Sequence, residues 1–351
     1  MTIGFASTRI AAVSHLDAPV RVASADLEAR IEPLLRRIGA SPGLLESLTG
    51  VTSRRWWPRG MMPSDAATMA GRRALEASGV DPARIGLLVN TSVSRDFVEP
   101  STASLVHANL KLPTTCGSFD LSNACLGFMD AIEFTGHLIE RGAIDAALIV
   151  AGESSRDAVE RTLGTLSAPD ADRDLYKQHL ATLTLGSGAA AMVVARAELA
   201  PDGGHLRGLV RRAATEHNHL CRGNDDQMIT DTQGLLVEGI ALAGRTFEAA
   251  RADLGWTPSA LDLLVMHQVS RPHTARLCAS LGLDVERAVP IYPEFGNIGP
   301  ASVPIALSKA RESGRLRPDD RVALMGIGSG LNCAMAEVSW AGTASENEDQ
   351  S

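Results

Sequence analysis

Cys125 is the residue of this sequence that is best placed to act as a nucleophile. It lies in the segment 119–128 (FDLSNACLGF), where an extended pattern gives way to a helical one. A thiol at such a turn meets unpaired backbone N–H groups and the positive end of the helix dipole, which favour the thiolate and can hold a thioester oxyanion. Most cysteines are buried and inert instead, and we assign that role to Cys116 and Cys278.

His267 is the titratable residue that best fits a partner for this thiol. It follows the apolar run 263–266, which is typical of a buried strand. Sites in open α/β sheets form at the carboxyl ends of strands, so a histidine at this place is better positioned than one inside a helix. His217, His219 and His273 are alternatives, and a single histidine is more often structural than catalytic.

Asn297 lies in the glycine-flanked loop 294–304 (EFGNIGPASVP), which opens a helical pattern near Pro300. By itself this segment predicts only a turn. A second glycine-rich segment, Gly328-Ser329-Gly330, follows the last apolar run and lets backbone approach a cavity closely. It fits an ordinary turn equally well, so both segments depend on the overall arrangement of the chain.

An internal duplication provides that arrangement. Residues 82–95 align without a gap on residues 258–271, and the same register pairs Phe119 with Phe295 and Gly152 with Gly328. The loops bearing Cys125 and Asn297 correspond in this register and should face each other. Each half reads as alternating strands and helices, which predicts an α/β fold with two mostly parallel sheets. The predicted strands are 85–89, 118–121, 146–150, 261–266, 288–291 and 321–326, and the predicted helices are 101–110, 124–141, 272–281 and 300–313.

The register also divides the chain. We predict an N-terminal half over 1–196, a C-terminal half over 197–342 and a disordered tail over 343–351. The polar stretch 155–184 has no counterpart in the second half and predicts an inserted cap or dimer loop.

Composition excludes several functional classes. The net charge of −8 disfavours nucleic-acid binding. Five cysteines without a CxxC pair suggest neither a disulfide framework nor a metal site. The sequence has neither an apolar run long enough to cross a bilayer nor a signal-peptide pattern, so we expect a cytoplasmic protein without a transmembrane segment.

These motifs together resemble the ketoacyl synthase III branch of the thiolase superfamily over essentially the whole chain. The matching segments are Asn123-Ala-Cys125-Leu-Gly-Phe128, His267-Gln268, Gly296-Asn297, the Gly328-Ser329-Gly330 turn, and Thr49-Gly50-Val51 followed by Arg54-Arg55. The resemblance implies the thiolase fold, with two pseudo-symmetric βαβαβαββ halves in five αβαβα layers.

The resemblance also implies roles for the candidate residues. Cys125 is then the acylated nucleophile, and His267 and Asn297 form an oxyanion hole for the enolate of the second substrate. The backbone N–H groups of Cys125 and Ser329 form a second hole. Coenzyme A thioesters are the implied substrates, with no further cofactor and no metal. Candidate substrate-binding residues are Arg54, Arg55, Trp57, Gly328 and Gly330, whereas Leu44 and Leu48 replace residues that grip coenzyme A in many relatives.

Within that branch, residues 90–104, 267–273 and 296–304 resemble the OleA family, the head-to-head acyl-CoA condensing enzymes of bacterial olefin biosynthesis. This family joins two fatty acyl-CoA molecules into a 2-alkyl-3-keto acid without decarboxylation, so a general base must remove an α-proton. The resemblance assigns that base to Glu99, contributed across a homodimer interface, and implies downstream olefin or β-lactone pathway enzymes.

Two alternatives remain open from the sequence. One is a decarboxylative synthase III that starts fatty-acid or polyketide chains with malonyl-acyl carrier protein. The other belongs to a different class, a catalytically silent subunit of a condensing complex.

Overall fold

A computed structural model describes residues 3–224 and 227–340, and the predicted tail 343–351 therefore lies outside the described residues. The described part contains 14 strands, which are β1 (Ile3–Gly4), β2 (Thr8–Asp17), β3 (Val20–Ala23), β4 (Ser53–Trp56), β5 (Ile85–Asn90), β6 (Gly117–Asp120), β7 (Ala146–Glu153), β8 (Gly188–Arg196), β9 (Gly204–Ala213), β10 (Cys221–Gly223), β11 (Met228–Thr230), β12 (Leu263–Met266), β13 (Arg321–Gly328) and β14 (Asn332–Ser339).

The same described ranges contain 12 helices, which are α1 (Ser24–Arg30), α2 (Glu32–Arg37), α3 (Leu44–Thr49), α4 (Pro63–Ser78), α5 (Thr102–Leu110), α6 (Gly127–Glu140), α7 (Arg156–Leu166), α8 (Arg173–Leu183), α9 (Thr232–Leu254), α10 (Arg271–Leu281), α11 (Tyr292–Phe295) and α12 (Ser302–Glu312). A 3-10 turn over Gly299–Ala301 leads into α12.

The main strands form one sheet that joins the two halves of the chain. Its order is β12-β13-β14-β9-β2-β8-β7-β5-β6, and β1 pairs with β9. The halves meet where β2 pairs with β9, through Arg9 opposite His205 and Ile10 opposite Gly204. Strand β8 ends at residue 196, where the sequence predicts the boundary between the halves.

The prediction of mostly parallel sheets is wrong. Only β5 with β6, β5 with β7, and β12 with β13 are parallel, and the other pairs along the sheet are antiparallel. Helical crossovers make the parallel pairs, whereas β13 runs into β14 through a tight turn, which allows only antiparallel pairing.

The predicted strand over 288–291 is also wrong. Ala288 makes a single bridge to Leu264, and the chain then enters the short helix α11. Pro290 has no N–H to donate to a ladder, and Pro293 occupies the first turn of α11. The second half therefore lacks a counterpart of β6.

The two halves of the sheet and three groups of helices form the five layers that the resemblance implies. Helices α4 and α5 cover the outer face of the first half, where Val106 is buried, and α9 and α10 cover the outer face of the second half with Phe247 and Leu277. Helices α6 and α12 lie between the halves and share one core through residues such as Phe128 and Ile305. Because apolar burial is the main favourable term in folding, this shared core fixes the halves relative to each other.

The insertion over 155–184 is a helical layer rather than a loop. It forms α7 and α8, which pack against α1–α3 through a separate core that includes Leu27, Trp56, Leu163 and Tyr176. In the part of the chain that the structure describes, no helix is long and apolar enough to cross a membrane.

Candidate active site

Cys125 occupies a tight turn between β6 and α6. The preceding residue, Ala124, has a φ of 46°, which is costly for a residue with a Cβ and occurs where surrounding contacts enforce it. The Leu126 N–H donates to the Asn123 carbonyl over 3.0 Å and closes the turn. Helix α6 begins at Gly127, later than predicted, because this turn interrupts the helical pattern.

The environment of Cys125 favours the neutral thiol. Burial, followed by the charges of Glu153 and Cys221, raises the pKa of Cys125 to about 12, against a smaller opposing contribution from its own backbone N–H. The prediction that the helix end favours the thiolate is therefore wrong, because desolvation penalises the charged form more than the helix end stabilises it.

Gly328, the last residue of β13, contacts the turn that contains Cys125 (residues 123–126) from the second half of the chain. A Cβ at Gly328 would lie 3.0 Å from both the Asn123 carbonyl oxygen and the Leu126 nitrogen, so any other residue would push this backbone away by a few tenths of an ångström. The Asn332 amide also donates to the Asn123 side chain over 3.3 Å. Ser329 therefore directly follows Gly328, which contacts the turn that contains Cys125.

Asn297 is fixed by backbone on both sides. Its N–H donates to the Thr184 carbonyl over 2.9 Å, and its carbonyl accepts from the Gly186 N–H over 2.8 Å. The side-chain oxygen accepts the Gly299 N–H over 2.9 Å. This last bond fixes which end of the amide is the acceptor, so the NH₂ group is the end directed elsewhere as a donor.

His267 is a neutral imidazole at the end of β12. Its backbone N–H donates to the Met325 carbonyl over 2.8 Å, and only 4% of the residue is exposed. Burial, followed by His273, lowers the pKa of His267 to about 3, and a backbone hydrogen bond with Gly299 opposes both. At neutral pH the ring can therefore donate one N–H, but it is too weak a base to keep Cys125 ionised.

Gln268 connects the His267 strand to the segment that leads to Asn297. Its amide donates to the Val289 carbonyl, and its side-chain oxygen accepts the N–H groups of Ile291 over 2.8 Å and Tyr292 over 3.2 Å. This buried residue thus replaces the missing strand as the support for that segment.

Glu153 belongs to the same candidate site, and the sequence patterns did not predict it. It ends the fully buried strand β7, and its carboxylate accepts the Val93 N–H over 2.7 Å and the Ser94 hydroxyl over 2.8 Å. Burial raises the pKa of Glu153 to about 7, which the N–H donors oppose. The repeat register pairs Gly152 with Gly328 and therefore Glu153 with Ser329, which is the signal that could have found it.

The structure thus brings the predicted catalytic residues of both halves together. The charge of Glu153 raises the pKa of the Cys125 thiol, and its carboxyl carbon lies 3.7 Å from where a Cβ of Gly299 would be. Gly299 in turn contacts both His267 and Asn297. A thiol beside two neutral N–H donors can form a thioester and stabilise an enolate oxygen.

Two of the predicted substrate-binding side chains serve the fold instead. Arg54 has 0% exposure, and its guanidinium donates to the Ser24 hydroxyl and the Leu183 carbonyl. Trp57 is buried and donates its indole N–H to the Glu153 carbonyl over 2.9 Å. Neither can grip coenzyme A at the surface. Arg55 is partly exposed and lies over the Phe295 ring at 5.3 Å.

Glu99 is exposed on the loop between β5 and α5. The same loop exposes Phe97 by 55% and Val98 by 88%. Within its own chain the carboxylate whose charge raises the pKa of Cys125 is Glu153, not Glu99.

Two family models match the chain. The model for 3-oxoacyl-[acyl-carrier-protein (ACP)] synthase III matches residues 119–207, and the model for the C-terminal part of the same synthase matches residues 252–340. The first region contains Cys125, and the second contains His267 and Asn297. Each half of the chain thus contributes a matched region that contains its own candidate site residues.

Relatives of known name match nearly the whole chain. An acyl-CoA:acyl-CoA alkyltransferase from Xanthomonas campestris is 50% identical over 336 residues, covering 96% of this chain and 99% of the relative. A protein of the same name from Shewanella oneidensis is 37% identical over 335 residues, covering 92% and 96%.

Solved structures agree with this relationship. An OleA structure from Xanthomonas campestris superposes with a TM-score of 0.94 at 50% identity, covering 96% of this chain and 97% of that one. A cysteine-to-serine variant with bound lauric acid and lauroyl-CoA gives the same TM-score. Other variants change a glutamate, a cysteine and a histidine spaced in OleA as Glu99, Cys125 and His267 are here. The chain therefore belongs to the OleA family of acyl-CoA:acyl-CoA alkyltransferases, in the ketoacyl synthase III branch of the thiolase superfamily.

Proposed function

We propose that this protein condenses two long-chain fatty acyl-CoA molecules into a 2-alkyl-3-keto acid, without decarboxylation, through a thioester on Cys125. The contacts that link Cys125 to Glu153, and Glu153 through Gly299 to His267 and Asn297, support this proposal. Membership in the alkyltransferase family selects acyl-CoA as the substrate class.

In the first half-reaction the Cys125 sulfur attacks the thioester carbonyl of one acyl-CoA, and coenzyme A leaves. Because the pKa of the free thiol is about 12, the thiol proton passes to the departing coenzyme A sulfur rather than being lost beforehand. The N–H groups of Cys125 and Ser329 are the proposed donors to the oxyanion. The substrates bring the coenzyme A, and no other cofactor takes part in the proposal.

In the second half-reaction a base removes an α-proton from the second acyl-CoA. His267 and Asn297 donate to the resulting enolate oxygen, and the α-carbon attacks the thioester carbonyl at Cys125. The carbon–carbon bond forms as the bond to sulfur breaks, and the Cys125 sulfur recovers a proton. Hydrolysis of the remaining thioester gives the keto acid.

The proposed base is Glu99 of the partner subunit in a homodimer. In the part of the chain that the structure describes, strand β6 forms an edge of the sheet and exposes Phe119, and the loop between β5 and α5 exposes Phe97 and Val98. An exposed edge strand with apolar side chains is a template for pairing with another chain. A dimer through this edge brings the loop of each chain toward the other.

Incubation with myristoyl-CoA alone tests the proposal. We expect release of coenzyme A, a Cys125 acyl adduct in the mass spectrum and a 2-alkyl-3-keto acid or its ketone. The Glu99→Ala variant should acylate normally and lose condensation, whereas Glu198→Ala, which changes an exposed carboxylate paired with Arg196, should keep both activities. A requirement for malonyl-acyl carrier protein would identify a decarboxylative synthase instead, and failure to acylate Cys125 would identify a silent subunit.

The proposal also assigns a location and a pathway position. All five cysteines are free thiols, which suits the reducing cytoplasm. Other enzymes, of the olefin or β-lactone type, would then decide the final product.

A further inference from the structure

Glu153 holds the start of the loop that carries Glu99. Its carboxylate accepts the Val93 N–H over 2.7 Å, the Ser94 N–H over 3.3 Å and the Ser94 hydroxyl over 2.8 Å. Bonds to a charged acceptor are about twice as strong as bonds between neutral groups. The carboxylate is buried, so water does not compete for these donors.

The rest of this loop has few anchors of its own. Asp96 accepts the Ser64 N–H over 2.9 Å, and beyond it Phe97, Val98 and Glu99 are exposed. Glu153 and Asp96 therefore set the direction in which the loop leaves the body of the protein.

Glu153 also faces the cavity of its own chain. It acts on the Cys125 thiol and lies against Gly299, which contacts His267 and Asn297. One carboxylate thus lies beside Cys125 and Gly299 of its own chain and also anchors the loop that exposes Glu99.

We infer that Glu153 is a positioning residue whose effect is delivered in the partner subunit, because it holds the loop that carries Glu99 toward the partner's cavity. This inference rests on the proposed function. It deepens that function by making the condensation step in each cavity depend on a buried carboxylate of the opposite chain.

The inference predicts that the two half-reactions respond differently. Replacing Glu153 with glutamine places an N–H₂ group against backbone donors and loosens the loop, so condensation should fall about tenfold or more. Acylation of Cys125 should not fall, because the lost charge is one that disfavours its thiolate. The two titratable groups that act on this thiol are Glu153 and Cys221. Alkylation of Cys125 should accordingly shift to lower pH in Glu153→Gln.

Ser94→Ala separates the loop from the charge. It removes the hydroxyl bond to the carboxylate and leaves the charge beside Cys125, so condensation should fall while the alkylation profile stays in place. Glu337→Gln is the matched control, because Glu337 is also buried and accepts a tryptophan N–H, from Trp256 over 2.7 Å, far from the cavity. It should leave the ratio of the two half-reactions unchanged even if the protein is less stable.

Mixed dimers, purified with two affinity tags, give the decisive measurement. A dimer of one Glu153→Gln chain and one Cys125→Ala chain should condense acyl-CoA at about half the wild-type rate, because its intact thiol is served by the loop of the chain with intact Glu153. A wild-type chain paired with a chain that carries both substitutions should condense acyl-CoA about tenfold or more slowly than that dimer, because its intact thiol is served by the loop of the Glu153→Gln chain. If Glu153 works only within its own cavity, the two results are reversed, and the inference is wrong.

The failures can be told apart. Wild-type protein that makes no keto acid from acyl-CoA overturns the proposed function and this inference with it. Wild-type condensation together with equal losses of acylation and condensation in Glu153→Gln overturns the inference alone. If Glu153→Gln does not fold, the Ser94→Ala chain takes its place in the same mixed dimers.

Discussion

Gly186→Ala is expected to displace the Asn297 loop while leaving Cys125 in place. A Cβ at Gly186 would lie 1.8 Å from the carbonyl oxygen of Phe295, and real Cβ contacts are not shorter than about 3.0 Å. The Phe295 carbonyl must therefore move by about 1.2 Å, the difference between these distances. Backbone cannot give way as the end of a flexible side chain can, so Asn297, two residues along, moves as well.

The energetic cost follows from the contacts that are lost. Overpacking in a rigid site costs about 1–3 kcal/mol. The two backbone bonds that join Asn297 to Thr184 and Gly186 contribute about 1 kcal/mol each. We expect Gly186→Ala to lower the free energy of unfolding by about 3–5 kcal/mol, and to slow condensation by about two orders of magnitude because a 1 Å misplacement can do so.

Urea unfolding and separate assays of the two half-reactions test this reasoning. Gly164→Ala is the control, since Gly164 lies on the exposed face of α7 with open space around its Cβ position. There alanine should stabilise the helix by about 1 kcal/mol and leave activity alone. If Gly186→Ala keeps wild-type stability and condensation, the loop adapts freely, and the close contact between Gly186 and Phe295 does not position Asn297.

Three further outcomes are expected. The depressed pKa values of His267 and His273, about 3 and about 4, mean that unfolding takes up protons below about pH 6.5. Urea titrations should therefore show stability falling by about 2 kcal/mol per histidine from pH 6.5 to about pH 5, and His267→Asn should reduce this slope. Arg54→Met should cost about 2–3 kcal/mol of stability without raising the KM for acyl-CoA; a KM effect at wild-type stability would restore its predicted role in binding. Val98→Glu should shift the light-scattering mass toward the monomer, whereas Val237→Glu, half-exposed on α9, should not.

The sequence was sufficient for the parts of the site that depend on local pattern and on the repeat. Cys125, His267 and Asn297 each lie where an element ends, and the register of the two halves requires their loops to face each other. The structure links them through Glu153 and Gly299, and α6 and α12 hold the two halves together through a shared core. Chain order and periodicity carry that information, so no long-range contact had to be known.

Sequence patterns failed where packing from distant elements decides the outcome. The cluster from Arg54 to Trp57 has the composition of a ligand-binding surface, yet α1, α8 and the end of β7 bury two of its side chains. The polar insertion 155–184 reads as a loop, but its apolar residues meet those of α1–α3 and form helices with their own core. Burial of this kind depends on residues distant in the sequence, such as Glu153 for Trp57 and Leu183 for Arg54.

The sequence by itself singled out Cys125, His267 and Asn297 as candidate site residues and predicted the duplicated α/β frame, because residue type, spacing and the repeat register carry this information. Only the tertiary structure decided the charge states and the second carboxylate. The thiol at Cys125 is neutral because desolvation outweighs the helix end, and Glu153 enters the cavity because β7 ends beside the loop at Val93 and Ser94. Both results depend on what surrounds a group in three dimensions, since the free energy of a buried charge is set by its neighbours and not by its position in the chain.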